Sequence, residues 1–564
     1  MESTAKSSHI NLFEHEGEKM LTGNISTNQE KGLQPAAAEL NAEHPPVEPT
    51  TNEGAEHPAG PKLALITLAL CLGVFLVALD NSIIATAIPK ITSQFHSLDD
   101  VGWYGSAYLL TAASLQLLFG KFYTFFNVKW TYLVAIGLFE LGSLICGVAN
   151  SSLTLIIGRA VAGIGSAGIF SGSLIMIAHS VALEKRPLYN GLVGGMFGIS
   201  SVAGPLLGGV FTDKVTWRWC FYINLPIGAV TVLVIAFFFP TPNHPIKETT
   251  WMERIKKFDP IGTTLFLPAI ICLLLALQWG GTIYAWNSWR IIVLFCFFAV
   301  LILLFLFVQY VQQDNATVPP HIFFRRTIFF AALYSFCIGA AFLSSVYFLP
   351  IWFQAVKSAS PVSSGIMNLP MLISVVLTSI VSGIIVTLVG YYTPFMIFGT
   401  VLLAIGYGLM SMFHVDTSKA VWIGYQIIAG VGVGAGMQQS MIAVQVVLDF
   451  ADIPTGTAII VFAQTLGGAL FVSIGNNVFR NKLVEYLARA MPNLDSTVIL
   501  NTGATSLHSV INKADLPGVL VTYNDALTQT FIVGAAVTSI SIIGALGVEW
   551  KSVKGKNLGA GGAA

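Results

Sequence analysis

The chain has 564 residues, of which 54% are hydrophobic and 10% charged, with a mean hydropathy of +0.74. A soluble domain carries about 25% charged residues, so this chain has too little polar surface for a water-facing coat, and the bilayer is its natural solvent. Its 28 basic and 28 acidic residues cancel, and nothing in that balance points to nucleic acid, which requires a basic face.

Residues 1–61 are rich in Glu, Asn, Pro and Ala and read as a disordered cytosolic tail. No short apolar core with a cleavage site opens the chain, so no secretory signal is expected. From Lys62 onward, apolar runs of about 20 residues recur, each able to cross ~30 Å of hydrocarbon. They fall at roughly 63–88, 102–123, 131–149, 153–181, 190–211, 219–239, 260–279, 289–311, 327–353, 362–388, 393–413, 420–448, 454–478 and 528–549. Each must satisfy its own backbone in lipid, which makes it a helix. The fold expected is all-α and polytopic, with fourteen transmembrane helices. Trp103, Trp130, Trp217, Trp219, Trp279, Trp286, Trp289, Trp352, Trp422 and Trp550 stand near span ends, as interfacial aromatics do.

An even span count puts both termini on one side. One set of connections carries Lys121, Lys129, Lys185, Arg186, Lys247, Arg254, Lys256, Lys257, Arg325 and Arg326; the other carries Lys90, Lys214, Arg218, Arg290, Lys357 and Lys419. Ten basic residues against six place the first set, and both termini, in the cytosol. The 481–527 connection is then the sizeable outer loop, and its start, Phe479 to Leu487, is amphipathic.

A repeat relates the two halves. Span four carries Arg159, Gly163, Gly165 and Gly168; span twelve carries Gln426, Gly430, Gly432 and Gly436. Span five opens with Asn190-Gly191 and span thirteen with Thr455-Gly456. The organisation expected is a tail (1–61), a six-helix half (62–240), a linker with two inserted helices (241–326), a second six-helix half with its long outer loop (327–550), and a C-terminal tail (551–564). Parallel halves around a midplane cavity describe a secondary transporter.

An ionisable residue at membrane depth is costly unless paired, so it is a functional candidate. Three lie well inside the first-half spans: Asp80, Glu140 and Arg159. Pairing Asp80 with Arg159 neutralises both and leaves Glu140 free to take a proton. The plainer reading makes the pair structural and Glu140 a hydrogen-bonding brace. The second half offers amides instead: Gln354, Gln438, Gln439, Gln445, Gln464, Asn476 and Asn477, with Gln278 in the inserted pair. Together with nearby aromatics they suit a large, mainly apolar cavity for neutral or weakly polar molecules, although single amides often serve as glue between helices. The six cysteines lie inside apolar runs and read as packing residues. The ten histidines show no ligand spacing, so no metal is expected. No GxxxxGK[ST] loop occurs, so no ATP motor is expected, and with no metal or nucleophile constellation in the sequence no enzyme is expected either. Of the glycosylation sequons, Asn24 and Asn315 fall on the cytosolic side and Asn150 in a very short outer loop, so none is a good acceptor.

Several segments resemble the major facilitator superfamily, and in particular its fungal fourteen-span drug:proton antiporter branch. They are Leu79 to Pro89 in span one, Gly120 to Lys129 in the loop 2–3 signature, Arg159 to Gly165 in span four, Gly204-Pro205-Leu206-Leu207-Gly208-Gly209 in span five, and Trp217 to Pro226. The resemblance covers about 62–550. It implies a gating role for Gly120 and Lys129 and an antiporter motif at Gly204, Pro205, Gly208 and Gly209. The loop 2–3 signature departs from the family, with Thr124 where an Asp usually stands and Asn127 where a Gly does. The function implied is export of a toxin, secondary metabolite or drug in exchange for protons. A proton gradient is expected in place of any cofactor, and a monomer in the plasma membrane is expected, with a vacuolar or vesicle membrane as the alternative. Rival readings are proton-coupled uptake or vacuolar transport of a polar solute such as a basic amino acid or siderophore, and a transport-dead sensor.

Overall fold

The computed structural model describes residues 58–97, 100–240, 257–281, 283–492, 494, 499–500, 507 and 511–554. Most of the N-terminal tail with Asn24, the linker carrying Lys247, Arg254 and Lys256, most of 493–510 and the end of the C-terminal tail lie outside them. Among the described residues fourteen long helical segments follow one another: α1 Pro61–Phe95, α2 Val101–Phe125, α3 Val128–Gly147, α4 Ser152–Ser180, α5 Arg186–Lys214, α6 Trp219–Phe238, α7 Pro260–Trp279, α8 Trp289–Gln312, α9 Arg326–Val356, α10 Leu369–Val389, α11 Thr393–Met410, α12 Lys419–Val447, α13 Ile453–Ala490 and α14 Leu516–Gly547. All but α2 are long and apolar enough to cross a membrane. At 25 residues α2 has the length, but it carries Ser106, Thr111, Ser114, Gln116 and Lys121, which lower its hydropathy. Helices overrun the apolar stretches, so that α13 and α14 reach well into the 481–527 segment. Lys121, expected in a loop, is buried in the last turns of α2.

The packing repeats. In the first half α3 lies on α4, α1 on α5, α2 on α4, α1 on α6 and α3 on α6; in the second α11 lies on α12, α9 on α13, α10 on α12, α9 on α14 and α11 on α14. Contact glycines show the register. A Cβ at Gly163 would strike the Tyr108 carbonyl, and one at Gly430 the Met371 carbonyl. Gly142 packs on Ala162 as Gly406 packs on Ala429, and Gly165 meets Ala135 and Phe139 as Gly432 meets Gly399 and Leu403. Small residues there let helix backbones touch. This register slides the fifth helices by two residues from the sequence alignment. Pro187 matches Pro454, and Asn190 matches Thr457 rather than Thr455.

The halves meet through two symmetry-related pairs, α5 on α10 and α2 on α13. Contact is densest at the end where α4 and α12 finish. There Gly165–Ala178 and Gly432–Val446 are buried on every face. Burial falls away toward the other end. Past Val461, the positions of α13 that stay buried over the next 14 residues, about four turns, are Gly467, Gly468 and Gly475, packed on Phe336, Leu343 and Phe348 of α9.

The inserted pair α7–α8 packs against α2 and α13. Asp259 fastens its closed-end turn. This buried carboxylate caps α7 through Gly262 N (2.7 Å) and accepts from Gln309 Nε2 (2.6 Å), Gln312 Nε2 (2.7 Å) and both the amide and hydroxyl of Thr317 (2.9 Å each). Phe258 beside it sits among Phe122, Phe125 and Phe126 of α2 and its end, with ring centroids 5.3–5.5 Å away.

Candidate functional site

The charged residues of the first half converge where α1, α2, α3, α4 and α6 meet. Arg159, 1% exposed, forms an ion pair with Asp80 through Nη1 and donates Nε to the Tyr104 carbonyl (2.7 Å). Its guanidinium lies 4.5 Å from the Tyr108 ring, a stabilising cation–π placement. The second oxygen of Asp80 is covered by Asn224, whose Nδ2 lies 3.3 Å from Asp80 Oδ1 and 3.1 Å from Ser143 Oγ. In the second half Gln426 stands in the place of Arg159 and keeps the equivalent backbone bond, Nε2 to the Met367 carbonyl at 3.1 Å. The contact is repeated while the charge is not.

Glu140 occupies the α3–α6 contact one turn from Ser143. Its carboxyl lies against Gly228, where any Cβ would overlap it. Both of its oxygens are buried without a hydrogen-bond partner among the described residues. Burying an ionised carboxylate with no donor is heavily penalised. The contrast with Asp80, which has a donor on each oxygen, distinguishes the two acids. Asn224, Ser143, Tyr104 and Tyr108 are not among the ionisable groups that stand out by their charge. The signal that could have found Asn224 was an amide inside the Trp217–Pro226 segment at bilayer depth.

The span-five motif has two faces. Gly204 and Gly208, one turn apart, close on Ser82, Ile83 and Thr86 of α1, and the Ser82 hydroxyl donates to the Ser200 carbonyl at 2.9 Å. Pro205 and Gly209 face Gly365 and Val362 of the other half, beside a small apolar groove lined also by Val202, Leu206, Ile366 and Leu369.

Gly120 is at the interface of the halves, where a Cβ would meet Ala458 and the Pro454 carbonyl. Thr124 contacts Thr455, Oγ1 to Oγ1 at 3.3 Å. Lys129 is instead held within its own half, donating to the Phe239 carbonyl (3.1 Å), while Asn127 caps α3 through Lys129 N (3.0 Å). The amides scatter. Gln438, Gln439 and Gln445 are sealed in the closed end: Gln438 lies on Gly194, Gln439 donates to its own helix at Ala435, and Gln445 accepts from Asn190 at 3.5 Å. Gln354 donates to Ser364 (2.9 Å), and Gln464 lies along Gly339 of α9. Asn476 is half-buried on α13. Gln278 bonds Ser106 and Gly102 of α2. Asn150 lies 3.5 Å from Arg218 Nη2 at the end of α3. No group of three or more His, Cys, Asp or Glu able to hold a metal occurs among the described residues.

The family profile of the Major Facilitator Superfamily matches residues 70–313. The MFS-type efflux pump MFS1 of Trichophyton rubrum is 60% identical over 90% of this chain and 95% of that protein. The chain belongs to the Major Facilitator Superfamily. The efflux pump roqT of Penicillium rubens is 54% identical over 87% of this chain and 91% of its own length, and the efflux pump aflT of Aspergillus parasiticus 50% over 89% and 98%. Among solved structures, the human organic anion transporter MFSD10 aligns with a TM-score of 0.55 at 12% identity, covering 85% of this chain and all of that one. The proton:xylose symporter XylE aligns at 0.53 and 14%, covering 84% and 94%. At such identities these two speak for the fold alone. By family, the chain is a multi-pass transporter.

Proposed function

We propose that this facilitator exports small, mainly apolar organic molecules, such as a secondary metabolite, toxin or drug, in exchange for protons. The relatives named efflux pumps support the direction. The observation that carries the coupling is the unpartnered Glu140 beside the paired Asp80 and Arg159: one negative charge in excess in a dry site, which a proton neutralises.

In this reading both termini are cytosolic, the closed end faces the cytosol, and the state is open to the outside. A proton binding from outside removes the cost of occluding the acid, the halves rock about the α2–α13 and α5–α10 contacts, and substrate enters from the cytosolic side. The protein acts as a monomer in the plasma membrane without a bound cofactor.

The test is purified full-length chain in proteoliposomes loaded with a hydrophobic fluorescent dye. An imposed pH gradient should drive dye movement against its own gradient, with protons moving the opposite way. Dye movement that continues at the same rate after an ionophore collapses the pH gradient would overturn the proposal.

A further inference from the structure

Two carboxylates, Asp80 and Glu140, share one polar cluster with one arginine, and a single side chain touches the group that tells them apart. Asn224 is fully buried on α6. Its Nδ2 bridges Asp80 Oδ1 on α1 and Ser143 Oγ on α3, and its Oδ1 is buried with no partner among the described residues. One turn later on the same helix, Gly228 lies against the Glu140 carboxyl. The α1–α3–α6 junction thus holds three unpartnered acceptor atoms, two from Glu140 and one from Asn224, next to an Asp80 with both oxygens satisfied. Buried acceptors in such numbers call for a donor, and a proton on Glu140 supplies one.

We infer that Asn224 is a positioning residue for proton coupling: by donating to Asp80 it keeps that acid ionised and paired to Arg159, and so assigns the exchanged proton to Glu140. This rests on the proton-exchange reading above. The step conserves charge and atoms: a hydronium in the outer water gives up one proton and is left as water, the proton adds to one Glu140 oxygen, and the cluster passes from one net negative charge to neutral. The other ionisable groups around the junction are Tyr104 and Tyr108 on α2, Cys146 on α3, and Cys220 and Tyr222 on α6. None donates to Glu140 among the described residues. The Tyr108 hydroxyl is directed at the Val77 carbonyl (3.4 Å), the Tyr104 hydroxyl at Ser97 and Ser152, and the Cys146 thiol at the Leu155 carbonyl.

The experiment measures the pH profile of gradient-driven dye accumulation by full-length protein in liposomes, for the wild type, Glu140→Gln, Asn224→Ala and Asn224→Ser. The wild type should show a proton-linked midpoint that Glu140→Gln removes. Asn224→Ala strips Asp80 of one donor, so both acids compete for the proton and the midpoint should move to higher pH by about one unit, a tenfold change in proton affinity. Asn224→Ser keeps a hydroxyl donor and should fall between. A purely structural role would lower yield and maximal rate while leaving the midpoint in place. If the wild type has no proton-linked midpoint, or Glu140→Gln retains it, the proton reading itself fails. If the midpoint is present and Glu140-dependent but unmoved in Asn224→Ala, the assignment to Asn224 is overturned. Should Asn224→Ala not fold, an unmoved midpoint in Asn224→Ser overturns that assignment equally.

Discussion

Gly120 and Gly383 hold equivalent places in the two halves: each lies on the carbonyl of the proline that opens the fifth helix of the opposite half, Pro454 and Pro187 respectively. The closed end is therefore a latch in which a glycine of each half lies against the opening turn of the other half's fifth helix, and it forms without the carboxylate that the loop 2–3 signature usually supplies. On its α2–α13 arm, Thr124 and Thr455 make an uncharged contact. A leucine at either glycine should hold the latch apart and abolish export while leaving the helices folded.

A cysteine pair tests the latch directly. In a background without the native cysteines, Thr124→Cys with Thr455→Cys should crosslink under mild oxidation, stop export, and recover on reduction. Crosslinked protein that still exports at the full rate would show that this end need not open.

Breaking the Asp80–Arg159 pair should be severe. Arg159→Ala leaves a buried carboxylate facing no cation, with a cost of about 3–5 kcal/mol, read as loss of folded yield and of thermal stability in detergent. Arg159→Lys should cost less, because charge is kept, yet a single ammonium cannot serve both Asp80 and the Tyr104 carbonyl as the guanidinium does. The double variant Asp80→Asn with Arg159→Gln should recover yield without recovering uphill export. Normal uphill export by that double variant would reduce the pair to a structural element.

The two faces of the span-five motif predict different defects. Gly204→Leu drives a side chain into Ser82 and Ile83 within one half. Overpacking of that kind costs about 1–3 kcal/mol, so the melting temperature should fall. Gly209→Leu reaches toward Val362 of the other half and should leave stability near the wild type while altering transport rate and proton leak in liposomes. Equal melting losses for both would contradict the division.

Asp259 gives a prediction away from the site. Asp259→Ala removes the cap of α7, about 1 kcal/mol, and strands the donors of Gln309, Gln312 and Thr317. A lowered melting temperature with export per folded molecule retained is expected, measured by thermal denaturation and dye efflux. Lost coupling at full stability would mean that the inserted pair takes part in the cycle.

Much of the fold was legible in the sequence. Run length and apolarity mark the spans because lipid forces each to be a helix, and the glycine pattern shared by α4 and α12 reveals the repeat. The register of the fifth helices was not legible: Asn190-Gly191 and Thr455-Gly456 look alike, and it took the glycine contacts of both halves, those of Gly120 and Gly383 among them, to place Pro187 opposite Pro454. The three ionisable residues stood out by their cost in hydrocarbon. Asn224 did not, because an amide raises no such alarm until its neighbours are known. Gln438, Gln439 and Gln445 read as cavity polar groups, yet in this state they are enclosed at the closed end, a placement set by packing between halves that no local pattern encodes.

The most direct test of proton coupling is Glu140→Gln in proteoliposomes with an imposed pH gradient. Glutamine keeps the shape of the protonated acid but holds no exchangeable charge. The account predicts that the variant still exchanges dye passively between the two sides at near the wild-type rate, and fails to accumulate it when the gradient is applied. Full gradient-driven accumulation by Glu140→Gln would contradict the account.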